Sequence, residues 1–232
     1  MRKNCLIRKL LLRQKQIKLK ALLLSFAGME SVKNIIFDLG GIFLNIDYQL
    51  TSKAFKSLGV HQFDEMFTQQ YSNDLFELLE TGRLSPEDFY DAFRKEARLD
   101  LTDDQIRNAW NALLLDFPAE RIQWLEIIRN KYSIYLFSNT NQIHYDQFMA
   151  DFARNYPGKD FNGYFIHAYY SQTLGLRKPY VASFQQILEE QQLNPTETLF
   201  IDDTFKNVQG AQQAGLRTIH LEAPKTVLDL EL

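Results

Sequence analysis

Apolar residues fall along this chain in two patterns. In the first, short unbroken runs end in a polar residue: Ile35-Ile36-Phe37 before Asp38, Ile134-Tyr135-Leu136-Phe137 before Ser138, and Leu199-Phe200-Ile201 before Asp202-Asp203. An unbroken run of this length suits a strand buried on both faces, as in a parallel sheet. Tyr164 to Ala168 and Arg217 to Leu221 complete a set of five predicted strands. In the second pattern, apolar residues recur at helical spacing. Ile122, Leu125 and Ile128 mark a helix over 121–130; further helices are predicted over 179–191 and 207–214, the last closed by Gly215. Strands alternating with helices imply parallel βαβ units with right-handed crossovers. The predicted fold is therefore α/β: a Rossmann-like parallel sheet of about five strands with helices on both faces.

Residues 48–118 interrupt that alternation. They read as helices throughout, with no convincing buried strand. Leu75, Phe76, Leu78 and Leu79 form one helical face, with Gly82 placed to end it. Ser85-Pro86-Glu87-Asp88 opens another helix with an N-cap serine, a proline at the first position and acids in the first turn. Thr102-Asp103-Asp104-Gln105 is a capping box for a third. The expected organisation is a core of 33–47 and 119–225 with an all-helical insertion at 48–118. Apolar and polar residues alternate over Ile42 to Tyr48, the stretch that leads into the insertion.

Charge sets residues 1–28 apart. The chain carries 26 Lys or Arg against 29 Asp or Glu. Eight of the basic residues and none of the acidic ones lie in 1–28, so the other 18 leave the remaining chain at −11. Such an acidic body argues against non-specific nucleic-acid binding. Leu6, Ile7, Leu10, Leu11, Ile17 and Leu22 could line a basic amphipathic helix that touches anionic lipid. The favoured reading is an extension outside the fold, since Met29 stands just ahead of the first strand. Cys5, the single cysteine, excludes an intramolecular disulfide and is compatible with a cytoplasmic protein. No segment approaches the roughly 18 uninterrupted apolar residues of a membrane span, so no stable insertion is expected. The sequence carries no mark of oligomeric state.

The polar residues closing the apolar runs are the candidate chemistry. Asp38 follows the first strand and precedes Gly40 and Gly41; Ser138-Asn139-Thr140-Asn141 closes the second; Gly175-Leu176-Arg177-Lys178-Pro179 is a basic loop before a helix; Asp202-Asp203 closes the fourth. Taken singly, each has a structural explanation as a turn, a helix cap or a solvated charge. In this order and spacing they resemble the four motifs of the haloacid dehalogenase superfamily. The resemblance runs from about Lys33 to Leu221, and is nearest to the bacterial subgroup opening with Phe-Asp-Leu-Gly-Gly, whose members are mostly described as phosphatases of small phosphorylated metabolites. It also implies that 48–118 is a helical cap and that the loop of Glu80, Thr81 and Arg83 is a candidate to face the active site, although a plain helix-to-helix turn fits the same residues.

The resemblance implies roles. Asp38 would be the nucleophile and a metal ligand, Ser138 and Lys178 would hold the transferring phosphoryl oxygens, and the backbone amides of Leu39 and Asn139 would add donors near the substrate. Asp202, Asp203 and the carbonyl of Gly40 would complete a magnesium site, hard oxygen donors being what Mg2+ prefers. The substrate would be a small phosphorylated metabolite such as a sugar phosphate, passing through an aspartyl-phosphate intermediate. One position departs from the superfamily's phosphatases, where a second Asp usually stands two residues after the nucleophile as general acid–base. Here it is Gly40, which transfers no proton. A substrate with a good leaving group, a substitute such as Asp47 or His144, or a catalytically weak phospho-ligand-binding module would each accommodate the loss. His144 reads equally well as a structural hydrogen-bonding residue. A metal-independent 2-haloacid dehalogenase is the remaining alternative, and Asp202-Asp203 argues against it, since a metal-free site gains nothing from two more carboxylates beside the nucleophile.

Overall fold

The computed structural model describes residues 32–68 and 71–232; the basic segment 1–28, with its amphipathic and extension readings, lies outside the described residues. In chain order the elements are β1 (Asn34–Phe37), α1 (Tyr48–Ser57), α2 (Phe63–Met66), β2 (Phe67–Thr68), β3 (Tyr71–Ser72), α3 (Asp74–Glu80), α4 (Pro86–Ala97), α5 (Asp103–Asn111), α6 (Ala119–Ile128), β4 (Ser133–Ser138), α7 (Gln142–Asn155), β5 (His167–Tyr170), α8 (Ser171–Leu174), α9 (Val181–Glu190), β6 (Thr198–Asp202), α10 (Phe205–Gln213) and β7 (Arg217–His220).

Five strands form one parallel sheet in the order β5-β4-β1-β6-β7. The apolar runs fill both faces by simple alternation. Ile35 and Phe37 of β1, Ile134 and Leu136 of β4, and Leu199 and Ile201 of β6 pack with Ile122, Leu125 and Ile128 of α6 and Phe148 and Phe152 of α7. Ile36, Tyr135, Phe137 and Phe200 point to the other face, against Phe184, Ile187 and Leu188 of α9 and Ala211 of α10. The period of two along each strand explains why runs without a polar break were required. The chain leaves β1 toward β4 on one side and leaves β6 toward β7 on the other. The crevice between the carboxyl ends of β1 and β6 is thus a topological switch point, where open α/β sheets take their ligands.

Residues 48–111 bury a second, separate cluster of Phe55, Phe63, Phe67, Phe76, Phe89, Phe93 and Trp110. The predicted helix starts are in place. Ser85 caps α4 through the Asp88 amide, and Thr102 and Gln105 form the reciprocal capping box of α5. Two local expectations are corrected. The insertion is not wholly helical, because β2 and β3 pair antiparallel, Phe67 with Ser72 and Thr68 with Tyr71, and Phe67 is turned into the aromatic cluster. The third sheet strand lies at His167–Tyr170, since Asn162–Tyr164 closes as a 3-10 turn instead. The stretch after Asp38 turns tightly at 41–43, with Gly41 donating to the Leu44 carbonyl and Leu44 to the Leu39 carbonyl, and leads into the insertion. Asn45 and Asp47 donate backbone hydrogen bonds to Asp116 and Leu113, and Leu115 donates back to Asn45, so the two linkers between the sheet and the insertion run side by side. Among the described residues no helix is long and apolar enough to cross a membrane.

Candidate active site

Asp38, Ser138 and Asp202 come together because each ends a neighbouring strand of one parallel sheet. Lys178 reaches them from the loop ahead of α9. Its Nζ donates to Asp38 Oδ1 at 2.6 Å and to Asp202 Oδ2 at 2.7 Å, and the side chain is 1% exposed. A buried ammonium survives only with such partners. Burial works against the charge of Lys178, but the carboxylates of Asp202 and Asp38 outweigh it and hold its pKa above the ordinary lysine value.

The loop carrying Lys178 is itself held. Asn139 donates from Nδ2 to the Lys178 carbonyl and accepts the Lys178 amide at Oδ1, both at 2.9 Å. On the other side, α10 approaches so closely that a β-carbon on Gly210 would stand 2.1 Å from the Pro179 carbonyl oxygen. Asp202 is fixed by the Thr204 amide at 2.7 Å and by Asn207 Nδ2 at 3.1 Å from each carboxylate oxygen. The sequence reading did not single out Asn207. Its position five residues after Asp202, in the first turn of α10, is the signal that would have found it.

Asp38, Asp202 and Asp203 offer carboxylate oxygens that all lie within 4.8 Å of one another. Burial, then the neighbouring carboxylates of Asp202 and Asp203, push the Asp38 carboxyl well above the usual range despite Lys178. Burial and Asp202 likewise raise Asp203. One ammonium therefore does not balance three clustered acids. An all-oxygen donor set with surplus negative charge fits a hard divalent cation such as Mg2+, with Gly40 beside it on the same cavity wall.

These groups open onto a cavity of about 320 Å³. Leu39, Gly40, Ser138 and Asn139 line its sheet side, while Tyr48, Glu77 and Glu80 come from the inserted helices. Of the loop singled out in the sequence, Glu80 reaches the cavity. The Thr81 hydroxyl instead bonds back to the Glu77 carbonyl, and Arg83 is exposed. Arg177, from the loop that carries Lys178, also lines the cavity, as do Tyr48 and Glu77, which the sequence does not mark because only the folded chain brings the insertion over the sheet.

Neither proposed substitute for the missing acid is free to act as one. Asp47 is the N-cap of α1, accepting the Gln49 amide at 2.9 Å, and does not line the cavity. His144 does line it, but Nε2 donates to the Trp110 carbonyl at 3.1 Å and Nδ1 accepts from Asn141 Nδ2 at 3.1 Å. Its ring stacks on Trp110 with centroids 4.5 Å apart. Burial lowers its pKa to about 4, so it is neutral and holds the insertion to the sheet domain.

Comparison with known proteins agrees with this geometry. A D-ribitol-5-phosphate phosphatase of Bacteroides thetaiotaomicron is 29% identical over 195 residues, covering 82% of this chain and 92% of that protein. A HAD family enzyme of the same organism, solved as wild type in complex with magnesium and inorganic phosphate, superposes with a TM-score of 0.76 at 33% identity, over 84% of this chain and 96% of that one. A predicted HAD-like family hydrolase of Porphyromonas gingivalis superposes with a TM-score of 0.76 at 31% identity, over 84% and 93%. The family description haloacid dehalogenase-like hydrolase matches residues 32–215. With the four motif segments converging on one crevice, this chain belongs to the haloacid dehalogenase-like hydrolases.

Proposed function

We propose that this enzyme is a magnesium-dependent phosphatase of a small phosphorylated metabolite, a sugar or sugar-alcohol phosphate, working through an aspartyl-phosphate. The observation that carries the reading is the Lys178 ammonium bridging Asp38 and Asp202 beside Asp203, at the mouth of a cavity closed by the insertion. The similarity to a D-ribitol-5-phosphate phosphatase supports the substrate class. Bound Mg2+ would be held by Asp38, Asp202, Asp203 and the Gly40 carbonyl, and it supplies the positive charge that lets an anionic nucleophile approach a phosphate dianion.

Asp38 attacks phosphorus, forming a carboxyl–phosphate bond as the ester oxygen leaves. Ser138 donates a hydrogen bond to a phosphoryl oxygen and Lys178 offsets its charge. Water then attacks the acyl phosphate and returns Asp38 with inorganic phosphate. A dehalogenase would not use the second and third acids, whose mutual repulsion only penalises a metal-free site.

Phosphate and halide release from ribitol 5-phosphate, p-nitrophenyl phosphate and 2-chloropropionate, with Mg2+ and with chelator, tests the reading. Phosphate release that needs Mg2+ and is lost in Asp38→Asn, at an unchanged melting temperature, is expected. Chelator-insensitive halide release would replace the phosphatase with the dehalogenase, and an Asp38→Asn protein at the wild-type rate would remove Asp38 as nucleophile.

A further inference from the structure

Tyr48, the first residue of α1, lines the cavity of Asp38 and Lys178 and has no part in the chemistry derived above. The linker fixes where it stands. Asp47, just before it, donates its amide to the Leu113 carbonyl and accepts the Gln49 amide on its side chain, both at 2.9 Å. The Thr51 hydroxyl ties the same turn of α1 to the Trp110 carbonyl at 3.0 Å. The Tyr48 ring packs toward Phe67, with centroids 6.1 Å apart.

Its hydroxyl differs from the other polar groups that the insertion's helices bring to the cavity. Glu80 is ion-paired with Arg177, and Glu77 accepts from the Tyr180 hydroxyl. No described residue accepts a hydrogen bond from the Tyr48 hydroxyl, and that atom stays open to the cavity instead of being shut in. The charges that act on it are those of Asp203, Glu80, Asp38 and Asp202. Burial first, then these acids, push its pKa up, so the phenol keeps its proton and is a ready donor.

In-line transfer decides what meets that donor. The attacking and leaving oxygens lie roughly opposite each other across phosphorus. Asp38 attacks from the sheet edge, with Ser138 and Lys178 beside it, so the ester oxygen departs toward the insertion. Its bond to phosphorus breaks as the Asp38–phosphorus bond forms, and the electron pair stays on the oxygen. A fixed donor aimed at that growing charge acts more strongly in the transition state than in the ground state.

We propose that Tyr48 is a catalytic residue of this site, its hydroxyl donating a hydrogen bond to the ester oxygen as that oxygen leaves phosphorus. The phenol keeps its own proton, and the departing alkoxide takes one from water. The inference rests on the phosphatase reading of the site and adds a group that partly makes up for Gly40.

Tyr48→Phe tests it in the full-length protein. The variant loses one oxygen that no described residue holds, so its melting temperature should stay within about 2 °C of the parent's. Rates with Mg2+ are measured on p-nitrophenyl phosphate and on whichever of ribitol 5-phosphate, ribose 5-phosphate and glycerol 3-phosphate the parent hydrolyses fastest. On the alkyl ester kcat should fall about tenfold or more, the scale of one hydrogen bond to a charged group; on the aryl ester it should fall less than about threefold. Trifluoroberyllate with Mg2+ caps Asp38 as a phosphoryl group does but carries no leaving oxygen, so it should raise the melting temperatures of parent and variant alike. Equal falls on both esters, or no fall on the alkyl ester, would overturn the proposal. A distinctly lower melting temperature would overturn it by showing the hydroxyl bonded within the fold, and a smaller trifluoroberyllate shift in the variant by placing it on the phosphoryl group. A parent that hydrolyses only the aryl ester would also overturn it. In each of these cases the parent is still a phosphatase; a parent that releases phosphate from none of the esters overturns the phosphatase reading as well.

Discussion

Position 40 shows how one residue sets the demands on a substrate. Without an acid there, and with Asp47 and His144 engaged elsewhere, the proposed reaction would give the leaving alcohol no proton from any of these three positions. General acid catalysis is typically worth about 10²–10⁴-fold. The backbone does not forbid restoring it. Gly40 lies outside the left-handed region, unlike Gly41 at φ +72. A β-carbon at 40 meets only the tip of Ile46, Cδ1 at 2.8 Å, which a rotation of that flexible side chain relieves. At 41 a β-carbon would stand 2.5 Å from Asp203 Oδ2, beside the acid cluster. Gly40→Asp is therefore expected to fold and to raise turnover of an alkyl phosphate at least about tenfold more than that of p-nitrophenyl phosphate, whose leaving group needs no proton. The ratio of the two rates in variant and parent is the measurement. Equal effects on both esters would mean that another group already supplies the proton.

At the scale of elements, the junction of α5 with α7 governs how the insertion sits on the sheet domain. Trp110 of α5 stacks on His144 of α7, its carbonyl accepts from His144 Nε2 and from the Thr51 hydroxyl, and Asn141 Oδ1 accepts the His144 amide. This contact requires the neutral imidazole. Burial depresses the folded pKa to about 4, against 6.5 for an unperturbed histidine. The unfolded chain therefore binds the extra proton first as pH falls. The contribution of His144 is complete above pH 6.5 and is lost progressively as pH drops toward 4, by about 3 kcal/mol over that window. Denaturant titrations of the parent and His144→Gln at pH 7 and pH 4.5 should show a distinctly larger loss in the parent. Equal losses would mean that the ring is already charged, or exposed, in the folded protein.

For the whole molecule, the same surplus of acid appears in the body of the chain and, concentrated, in its crevice. Asp38, Asp202 and Asp203 repel one another with Lys178 as their ammonium partner, so a dication seated among them binds the folded state alone. Mg2+ should then raise the melting temperature, by the equivalent of about 2.7 kcal/mol at a hundred times its dissociation constant. Asp203→Asn should diminish that shift without unfolding the protein, because Asp203 is only half-buried. Asp202→Asn should cost stability even without metal, since both of its oxygens are held by Lys178, Thr204 and Asn207. An unchanged melting curve on adding Mg2+ to the parent protein would remove the cluster as a metal site.

Local pattern alone determined the parallel strands, the helix starts and the placing of Asp38, Ser138 and Asp202 at strand ends. Buried parallel strands all end at one edge, so a polar residue closing each apolar run is carried to that edge; the order β4-β1-β6 is what makes the three neighbours. The capping residues of α4 and α5 were legible for the same reason, since a cap acts within one turn of its own helix. Tertiary structure decided what depends on residues far apart in the chain. Asn45 and Asp47 pair with the second linker some 70 residues later, and no alternation within 42–48 encodes that partner. His144 keeps two readings, proton donor or structural hydrogen-bonding residue, until Trp110 lies on it. Glu80 reads in the sequence as part of a loop that either faces the site or is a plain turn; the insertion folding back over the sheet decides between them and sets it on the cavity wall, 3.0 Å from Arg177.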